Sequence, residues 1–392
     1  MKISFVIKKI VYKMKKVVYT IDESRPLLHK GTRFTHVSTY ACQNVGDTVL
    51  SKCVRQYFEQ FFNVNSWLLI EPKQKINERM IKRINSTKAL IIGGGGMFIP
   101  DTNYNNISGW EWPISVEMLN KIKVPIIVYS VGYNYFDGQT KTDLFKKSIN
   151  ELLNQASFFG LRNNGSIREI KAITNTELQN KIIYQPCLTT LINKIMKEKN
   201  YEREGRKRIG INIAFDRIDR RMKTNPEKIL KSIAMAISKI SRKGYRIVYM
   251  INCTGDERFL PYLKQEGIDV EVLDASFDYL DDCIKKYLSV EMMIGMRGHS
   301  QMIQFGLGGE ILSLGSHDKI KWFLEDIDAL DWYIDINDDS VNLSNTIFEK
   351  FVQIHEIEHE KTHIKLATSQ EKLWSITQKN RDIITNTLQV NE

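Results

Sequence analysis

The chain of 392 residues has few cysteines and no long apolar run, and both absences exclude classes of protein. Its five cysteines are an odd number with no C-x-x-C pair, so neither a disulfide framework nor a zinc ribbon is indicated. No stretch reaches the roughly 18 apolar residues that span a bilayer, and no apolar core with a cleavage site opens the chain. We therefore expect a cytoplasmic protein that is neither integral to a membrane nor exported by such a signal.

The composition is that of an ordinary globular protein with a surplus of positive charge. Hydrophobic residues make up 42% and charged residues 26%, which excludes collagen-like and wholly disordered chains. At roughly 150 residues per domain, the length indicates two domains. The net charge of +10 favours anionic partners such as acidic lipids or phosphorylated small molecules. Nucleic acid is not expected, because the chain has no recognition-helix motif and no dense basic stripe after residue 16.

Residues 1–16 form a basic segment whose spacing fits an amphipathic helix. The apolar positions are Ile3, Val6, Ile7, Ile10, Val11 and Met14, and the opposite side carries Lys2, Lys9, Lys13 and Lys16. Such a helix can lie in the headgroup region of an anionic membrane, which would place the protein at the inner face of the cytoplasmic membrane. The alternative is a structural or flexible basic lead-in, since the β-branched runs also fit short strands.

Short apolar runs alternate with longer amphipathic runs, which indicates an α/β fold with doubly wound parallel sheets. The predicted strands are 17–21, 66–70, 89–93, 125–132, 157–161 and 181–185, then 208–214, 245–252, 270–275, 291–296 and 310–315. The charged stretch 196–208 interrupts this rhythm as a linker would. We predict a basic segment 1–16, domains 17–200 and 207–343, and a helical tail 344–392. Facing sheets of this kind bind ligands in the cleft at their strand ends.

Four consecutive glycines, Gly93, Gly94, Gly95 and Gly96, follow the strand predicted at 89–93. Glycines let bare backbone N–H groups approach a ligand, so we expect a ligand-facing loop, with a purely conformational turn as the alternative. The pattern is neither G-x-G-x-x-G nor a P-loop. A nicotinamide cofactor is therefore not expected.

A second motif, N-x-G-D, comprises Asn44, Gly46 and Asp47 at the start of an amphipathic pattern. Asp47 could cap that helix by accepting bonds from its first N–H groups. Alternatively, its carboxylate could bind paired sugar hydroxyls or act as a base.

The most informative segment is 291–327, where two predicted strands end in polar residues. Arg297 and His299 follow the first strand, and Asp318 and Lys319 follow the second. An arginine can bind a carboxylate or phosphate through two bonds, a lysine adds a point charge, and histidine exchanges protons near neutral pH. We therefore predict an anion-binding site with an acid–base histidine here.

Arg162 and a tryptophan-rich stretch add weaker signals to the first half of the chain. Arg162 follows the strand at 157–161 and could bind the same anion, with a surface salt bridge as the alternative. Trp112, together with Trp110 and Tyr104, could supply a stacking platform for a sugar ring, or could pack in the core.

Three histidines of the tail, His355, His359 and His363, share one helical face. This spacing permits a metal site, but interleaved Glu and Lys favour a solvated charged helix. No metal is predicted.

In the order and spacing of these motifs, the sequence resembles the polysaccharide pyruvyl transferase family from about residue 36 to about residue 327. The matching positions are Asn44, Gly46, Asp47, Gly93 to Gly96, Arg162, Arg297, His299 and Ser300, with a looser match at Asp318 and Lys319. Gly298 departs from the apolar residue that the family often has between the arginine and the histidine.

The resemblance implies two Rossmann-like domains of the GT-B type, with the acceptor bound by the first domain and the donor by the second. It implies phosphoenolpyruvate as donor, a sugar of a surface polysaccharide or of its lipid-linked precursor as acceptor, and no metal or other cofactor. His299 and Asp47 would then be catalytic, and Arg162, Arg297, Lys319 and Ser300 would bind the donor. A nucleotide-sugar glycosyltransferase on the same fold is the alternative.

Overall fold

The computed structural model describes residues 32–40, 42, 44–196, 203 and 207–389, together with residues 7, 10, 11, 13, 14 and 17. The chain divides into two compact units. Unit 1 comprises Met1–Cys42, Leu50–Leu188 and Ser375–Glu392, and unit 2 comprises Gln43–Val49 and Thr189–Trp374. Each unit contains a six-stranded sheet, and all strand pairs in both sheets are parallel. This confirms the predicted α/β class.

The sheet of unit 1 has the strand order β2-β1-β3-β4-β5-β6. Its strands are β1 Thr32–Val37, β2 Val64–Ile70, β3 Leu90–Phe98, β4 Ile126–Tyr133, β5 Phe158–Leu161 and β6 Ile182–Tyr184. The helices that accompany them are α1 Val45–Phe62, α2 Glu78–Ile84, α3 Val116–Leu119, α4 Asp143–Gln155 and α5 Asn164–Lys171. The direction of winding reverses between β1 and β3, which is where such sheets bind ligands.

The sheet of unit 2 has the order β12-β11-β10-β7-β8-β9. Its strands are β7 Arg208–Asn212, β8 Arg246–Ile251, β9 Val270–Asp274, β10 Met292–Gly295, β11 Glu310–Gly315 and β12 Tyr333–Asp335. Its helices are α6 Ile192–Ile195, α7 Ile218–Arg221, α8 Pro226–Arg242, α9 Leu260–Gln265, α10 Leu280–Leu288, α11 Gly298–Gly306, α12 Asp318–Asp326 and α13 Leu343–Phe351. Here the winding reverses between β7 and β10.

Helix α8 illustrates how the sequence sets these elements. Asn225 caps its start by accepting a hydrogen bond from the backbone N–H of Lys228, and Pro226 occupies the first turn, where a missing N–H costs nothing. Isoleucine, leucine and alanine recur along one face and are buried. The helix ends just before Gly244, whose φ of 92° suits glycine.

The tail consists of α13, a π-helical turn Val352–Ile357, and the 31-residue helix α14, His359–Gln389. It therefore confirms the predicted helical character of residues 344–389. The boundary between the two units falls within α14, after Trp374. Among the described residues, no helix is both long and apolar enough to cross a membrane.

Most predicted strands are present, with four differences. β1 was missed because polar residues interrupt its apolar pattern, and β12 because it has only three residues. The strand predicted at 17–21 lies outside the described residues except for Val17, which is helical. The strand predicted at 89–93 continues to Phe98. The predicted linker 196–208 lies largely outside the described residues.

Candidate functional site

The carboxyl ends of four adjacent strands in unit 2 carry polar residues, on both sides of the β7/β10 reversal. Asp216 follows β7, Asp256 follows β8, Arg297 and His299 follow β10, and Lys319 follows β11. Because parallel strands end at the same edge of a sheet, these side chains from distant parts of the chain converge.

Arg297 forms the centre of this cluster. Its Nε lies 2.8 Å from Oδ2 of Asp256 and its Nη2 lies 2.6 Å from Oδ1, which is a bidentate pair. Its Nη1 lies 2.9 Å from Oδ1 of Asp216. Asp256 is fully buried and also accepts bonds from the backbone N–H groups of Asn252 and Cys253. The two-bond edge of Arg297, which the sequence assigned to a ligand anion, is therefore occupied by Asp256.

Asp216 links Arg297 to a second arginine. Its Oδ2 accepts a 2.8 Å bond from Nη2 of Arg221, which is buried, and lies 3.6 Å from Nη1 of Arg217. The cluster thus holds three guanidinium groups against two carboxylates. The surplus is positive, as a site for an anionic ligand requires.

The pKa shifts of this cluster follow from burial and pairing. Burial alone would lower the pKa of Arg297, but Asp256 and Asp216 raise it above its ordinary value. Burial would raise the pKa of Asp216, yet Arg221 and Arg297 hold it well below the usual range. Burial raises the pKa of the neighbouring Cys253 thiol to about 11. The ion pairs therefore stay charged near neutral pH, and Cys253 stays a thiol.

The N-x-G-D motif belongs to this same unit. Asn44 forms an isolated antiparallel bridge with Cys253, and the backbone N–H of Val45 donates to Asn252 O at 3.1 Å. Nδ1 of His299 lies 3.6 Å from Oδ1 of Asp47, a distance at which the two groups interact electrostatically without a hydrogen bond. The structure thus brings the two predicted catalytic side chains together.

Asn44, and not Asp47, occupies the capping position of α1. Its Oδ1 accepts from the backbone N–H of Gly46 at 3.2 Å, and its Nδ2 donates to Oδ2 of Asp47 at 2.7 Å. The capping interpretation of Asp47 is therefore wrong, because Asp47 lies in the first helical turn with its carboxylate between Asn44 and His299.

Gly46 permits the close approach of α1 to the histidine. A Cβ atom at Gly46 would lie 2.5 Å from Nδ1 and 2.7 Å from Cγ of His299. Any larger residue would have to displace the ring, so the glycine of the motif has a steric explanation.

Ser300 and Lys319 lie beside the same strand ends. Ser300 is buried and its hydroxyl donates to Arg297 O at 2.8 Å, so it fixes the turn that presents Arg297. Lys319 is half-buried in the first turn of α12, where its backbone N–H donates to Nδ1 of His317. A Cβ atom at Gly298 would lie 3.7 Å from Cε of Lys319, an ordinary contact, so the departure from the family pattern at Gly298 leaves space for an apolar residue.

In unit 1, the four glycines form part of β3 and not the loop that the sequence predicted. Gly93 and Gly95 have φ values of 121° and 134°, and a Cβ atom at Gly93 would collide with Tyr129 O on β4. A Cβ atom at Gly94 would lie 2.7 Å from Cγ of Leu50, and Gly96 lies against Asn134. The glycines allow the strand to continue, with a register shift beyond Gly95, through a crowded region beside the β1/β3 reversal.

Arg162 follows β5 and is 5% exposed, so the alternative of a surface salt bridge is wrong. Its guanidinium lies against Gly132 of β4, where any Cβ atom would collide with it. The next residue, Asn163, caps α5 by accepting a 2.7 Å bond from the backbone N–H of Ser166. The role of Arg162 as an anion ligand stays a prediction.

Trp110 and Trp112 are both buried and contact each other edge-to-face at 5.9 Å. Nε1 of Trp110 donates to Ser148 Oγ at 2.9 Å. The geometry therefore favours packing in the core for Trp112, whereas Tyr104 is 80% exposed.

Sequence reasoning missed Asp216 and Asp256, which hold Arg297 in place, and Arg221, which pairs with Asp216. Their only signal is position, since each acid follows a predicted strand of the second domain. None of these acids is a convincing metal ligand, because each is already paired with an arginine.

Comparison with known proteins identifies a family. The family model of polysaccharide pyruvyl transferases matches residues 44–303, which include both the N-x-G-D motif and the Arg297–His299 segment. No curated protein matches the chain in sequence.

Solved structures show the fold. A glycosyltransferase from Rickettsia africae ESF-5 is 11% identical with a TM-score of 0.52, over 92% of this chain and 97% of that one. The UDP complex of S. aureus MnaA is 12% identical with a TM-score of 0.51, over 86% and 91%. The UDP-GlcNAc 2-epimerase from Neisseria meningitidis is 12% identical with a TM-score of 0.50, over 91% and 99%. At these identities the similarity shows the fold alone. Because the family model covers well over half of the chain, the protein belongs to the polysaccharide pyruvyl transferase family.

Proposed function

We propose that the protein transfers the enolpyruvyl group of phosphoenolpyruvate to two hydroxyls of one sugar, forming a pyruvate ketal and inorganic phosphate. The observation that carries the proposal is the Asp47–His299 pair beside a positively charged cluster at the β7/β10 reversal. An acid–base imidazole next to cations fits a substrate that must be protonated on carbon while it carries a carboxylate and a phosphate.

His299 acts as the general acid in this proposal. It gives its proton to the methylene carbon C3, which leaves cationic character at C2, and the first sugar hydroxyl forms a C–O bond there. The bond from C2 to the phosphate oxygen then breaks, and the second hydroxyl adds at C2. One hydroxyl proton passes to His299, directly or through Asp47, and restores its acid form, and the other leaves with phosphate, so that protons and electron pairs balance.

The cations have different parts in this scheme. Lys319 and Arg297 are the groups of unit 2 assigned to the donor, and Arg162 is the group of unit 1. Asp256 holds Arg297 through its two-bond edge, so Arg297 supplies a fixed positive charge and not a bidentate grip. Fixed charges stabilise a departing phosphate without reorganising. Each step uses side chains of this chain, and we expect the chelator-treated enzyme to keep its activity.

The test is a phosphate-release assay with phosphoenolpyruvate and a panel of lipid-linked galactosyl, glucosyl and mannosamine acceptors, with the products analysed by mass spectrometry. We expect phosphate release with one acceptor class and a product heavier by one pyruvate minus one water. Phosphate release that occurs without any change in acceptor mass would refute ketal formation.

A nucleotide-sugar glycosyltransferase is the second candidate, because the S. aureus and N. meningitidis neighbours bind UDP and UDP-GlcNAc. Thermal unfolding separates the two, since a ligand that binds only the folded state raises the melting temperature. We expect stabilisation by phosphoenolpyruvate and none by UDP-GlcNAc. The reverse result would favour the second candidate.

We also propose that residues 1–16 bind the membrane that carries a lipid-linked acceptor. Of the predicted apolar face, Ile7, Ile10, Val11 and Met14 are described; they are helical and 55%, 53%, 45% and 65% exposed. The other apolar positions and all the named lysines except Lys13 lie outside the described residues. Basic residues next to an apolar helical face fit an anionic lipid surface.

Co-sedimentation with vesicles tests this. We expect binding to vesicles that contain phosphatidylglycerol, weakened by salt, and little binding to pure phosphatidylcholine. Equal binding by a chain that lacks residues 1–16 would contradict the proposal.

A further inference from the structure

The N-terminal edge of the unit 2 sheet carries a second cluster of titratable residues that the proposed reaction does not use. Glu310 is the first residue of β11 and is fully buried. His355 lies in the π-helical turn before α14, and His359 and His363 lie in the first turns of α14. Arg297 and His299 follow β10 at the opposite edge of the same sheet, so the two clusters are distinct sites.

Three imidazoles face the carboxylate of Glu310. Nδ1 of His355 contacts Oε2, Nδ1 of His359 lies 2.8 Å from Oε1, and Nε2 of His363 lies 3.3 Å from Oε1. The donor atoms of Glu310, His355 and His359 all lie within 4.8 Å of one another. In a tetrahedral site with bonds of about 2.0–2.1 Å, ligand atoms are about 3.3 Å apart, so small side-chain shifts would complete the geometry.

From this cluster we infer that unit 2 contains a site for a divalent transition metal, with Zn²⁺ as the best fit, whose ligands are Glu310, His355 and His359. His363, whose Nε2 also lies near Oε1 of Glu310, is the residue placed to supply a fourth ligand. Imidazole nitrogens and a carboxylate oxygen are a donor set that zinc takes readily. The sequence favoured a solvated helix at these histidines, but His355 is only 8% exposed.

The surroundings support a cation at this position. A second buried carboxylate, Glu291, lies 3.8 Å from Nε2 of His355, and the nearby Arg203 donates to the carbonyls of Val290 and Leu307. Two carboxylates against one guanidinium leave one negative charge, which either a protonated imidazole or a metal ion can balance.

The solvent exposure and the local backbone of the cluster also fit a metal site. The side chains of His359 and His363 are 30% and 41% exposed, which gives an ion a path from solvent, while Glu310 closes the inner side. His355 stands in a π-helical turn, a form often found at functional sites, and its ring contacts Tyr245 edge-on at 5.4 Å. The bound ion would join the start of α14 to the sheet edge.

The test uses the full chain without a polyhistidine tag, stripped with chelator. Zn²⁺ affinity is measured by competition with a chromophoric chelator, and Co²⁺ serves as a spectroscopic probe of tetrahedral coordination. We expect one Zn²⁺ per chain, a strong Co²⁺ d–d band, and affinity that falls as the pH is lowered, because protons compete for the imidazoles.

Variants locate the site. His359→Asn and Glu310→Gln should each weaken Zn²⁺ binding at least about 10- to 100-fold and abolish the Co²⁺ band. Glu360→Gln, at an exposed neighbour on the same helix, is the matched control and should change neither. His359→Asn carries the test if loss of the buried Glu310 carboxylate prevents folding. Absence of a Co²⁺ band in the unmodified chain, or equal binding by His359→Asn and the unmodified chain, would overturn the inference.

Discussion

Both edges of the unit 2 sheet pair carboxylates with nitrogen-containing side chains, but the two edges use different residue types. At the carboxyl edge, the buried acid Asp256 and the half-buried acid Asp216 are paired with guanidinium groups, chiefly that of Arg297. At the amino edge, the buried acid Glu310 is paired with imidazoles. Arginine stays charged at any accessible pH, whereas histidine gains and loses its proton near neutrality.

This difference indicates what each edge is suited to do. The carboxyl-edge acid Asp216 has a pKa below its ordinary 3.8, so the ion pairs there persist unless the pH falls below that value. A fixed array of charges suits a site that must stabilise the same substrate under all conditions. At the amino edge, imidazole side chains are instead suited to proton exchange and to the metal binding that we infer.

The largest effect is expected from His299→Ala, because His299 at the carboxyl edge is the proposed general acid and the amino edge has no part in the reaction. Loss of a general acid should reduce pyruvyl transfer about 10²- to 10⁴-fold. Steady-state kinetics with the accepted acceptor measures this, and Lys321→Ala, at an exposed position of α12, is the control. Near-normal transfer by His299→Ala would remove the acid assignment.

The next effect concerns stability. Asp256→Ala leaves Arg297 buried without its bidentate partner, and breaking a buried pair costs about 3–5 kcal/mol. Urea unfolding should show this loss, while Asp318→Asn, at an exposed position near the same edge, should change the free energy of unfolding by less than about 0.5 kcal/mol. Equal effects of the two variants would mean that the Arg297 network contributes no special stability.

A smaller effect is expected from Gly46→Ala, whose Cβ atom would displace the ring of His299. Displacement of a reacting group by about 1 Å can cost up to about 10²-fold in rate, so we expect a 10- to 100-fold loss in transfer. Gly298→Ala should lose much less, because its Cβ atom would make only ordinary contacts. If Gly46→Ala and Gly298→Ala lose transfer activity equally, then Gly46 is not required to make room for the ring of His299.

The smallest effect is the pH response of the amino edge, measured without metal. Burial would lower the pKa of His355, but its bond to Glu310 raises it above 6.5. The stability that His355 contributes to the fold is therefore complete below pH 6.5 and is lost as the pH rises through the pKa of the folded state. Burial would raise the pKa of Glu310, but His355 and His363 lower it below 4.5. The stability that Glu310 contributes to the fold is therefore complete above pH 4.5 and is lost as the pH falls through the pKa of the folded state.

The difference in unfolding free energy between the chelator-treated chain and its His355→Gln variant should therefore be greatest between pH 4.5 and 6.5 and decline on both sides. A difference that does not vary with pH would show that this pair is not protonated as the geometry implies.

Local patterns allowed much of the fold to be predicted. Apolar runs identified most strands, since buried parallel strands are nearly continuous in apolar residues. Arg297 and His299 were found because they directly follow such a run. Asp216 and Asp256 were not, because they reach Arg297 from the ends of other strands, 81 and 41 positions earlier in the chain.

Contacts between distant segments set the limits of the prediction. The helical face of His355, His359 and His363 was visible in the sequence, but Glu310, which turns it into a buried cluster, lies on a strand. Likewise, nothing local to Asn44, Gly46 and Asp47 shows that the bridge from Asn44 to Cys253 places them beside His299.

The most direct test of the central claim is to run the transfer reaction in D₂O and examine the pyruvate methyl group of the product. If an acid of the enzyme protonates C3 of phosphoenolpyruvate, each ketal methyl group carries one deuterium from solvent. A product that retains a methylene group, or one that carries a sugar from a nucleotide donor, would contradict the account.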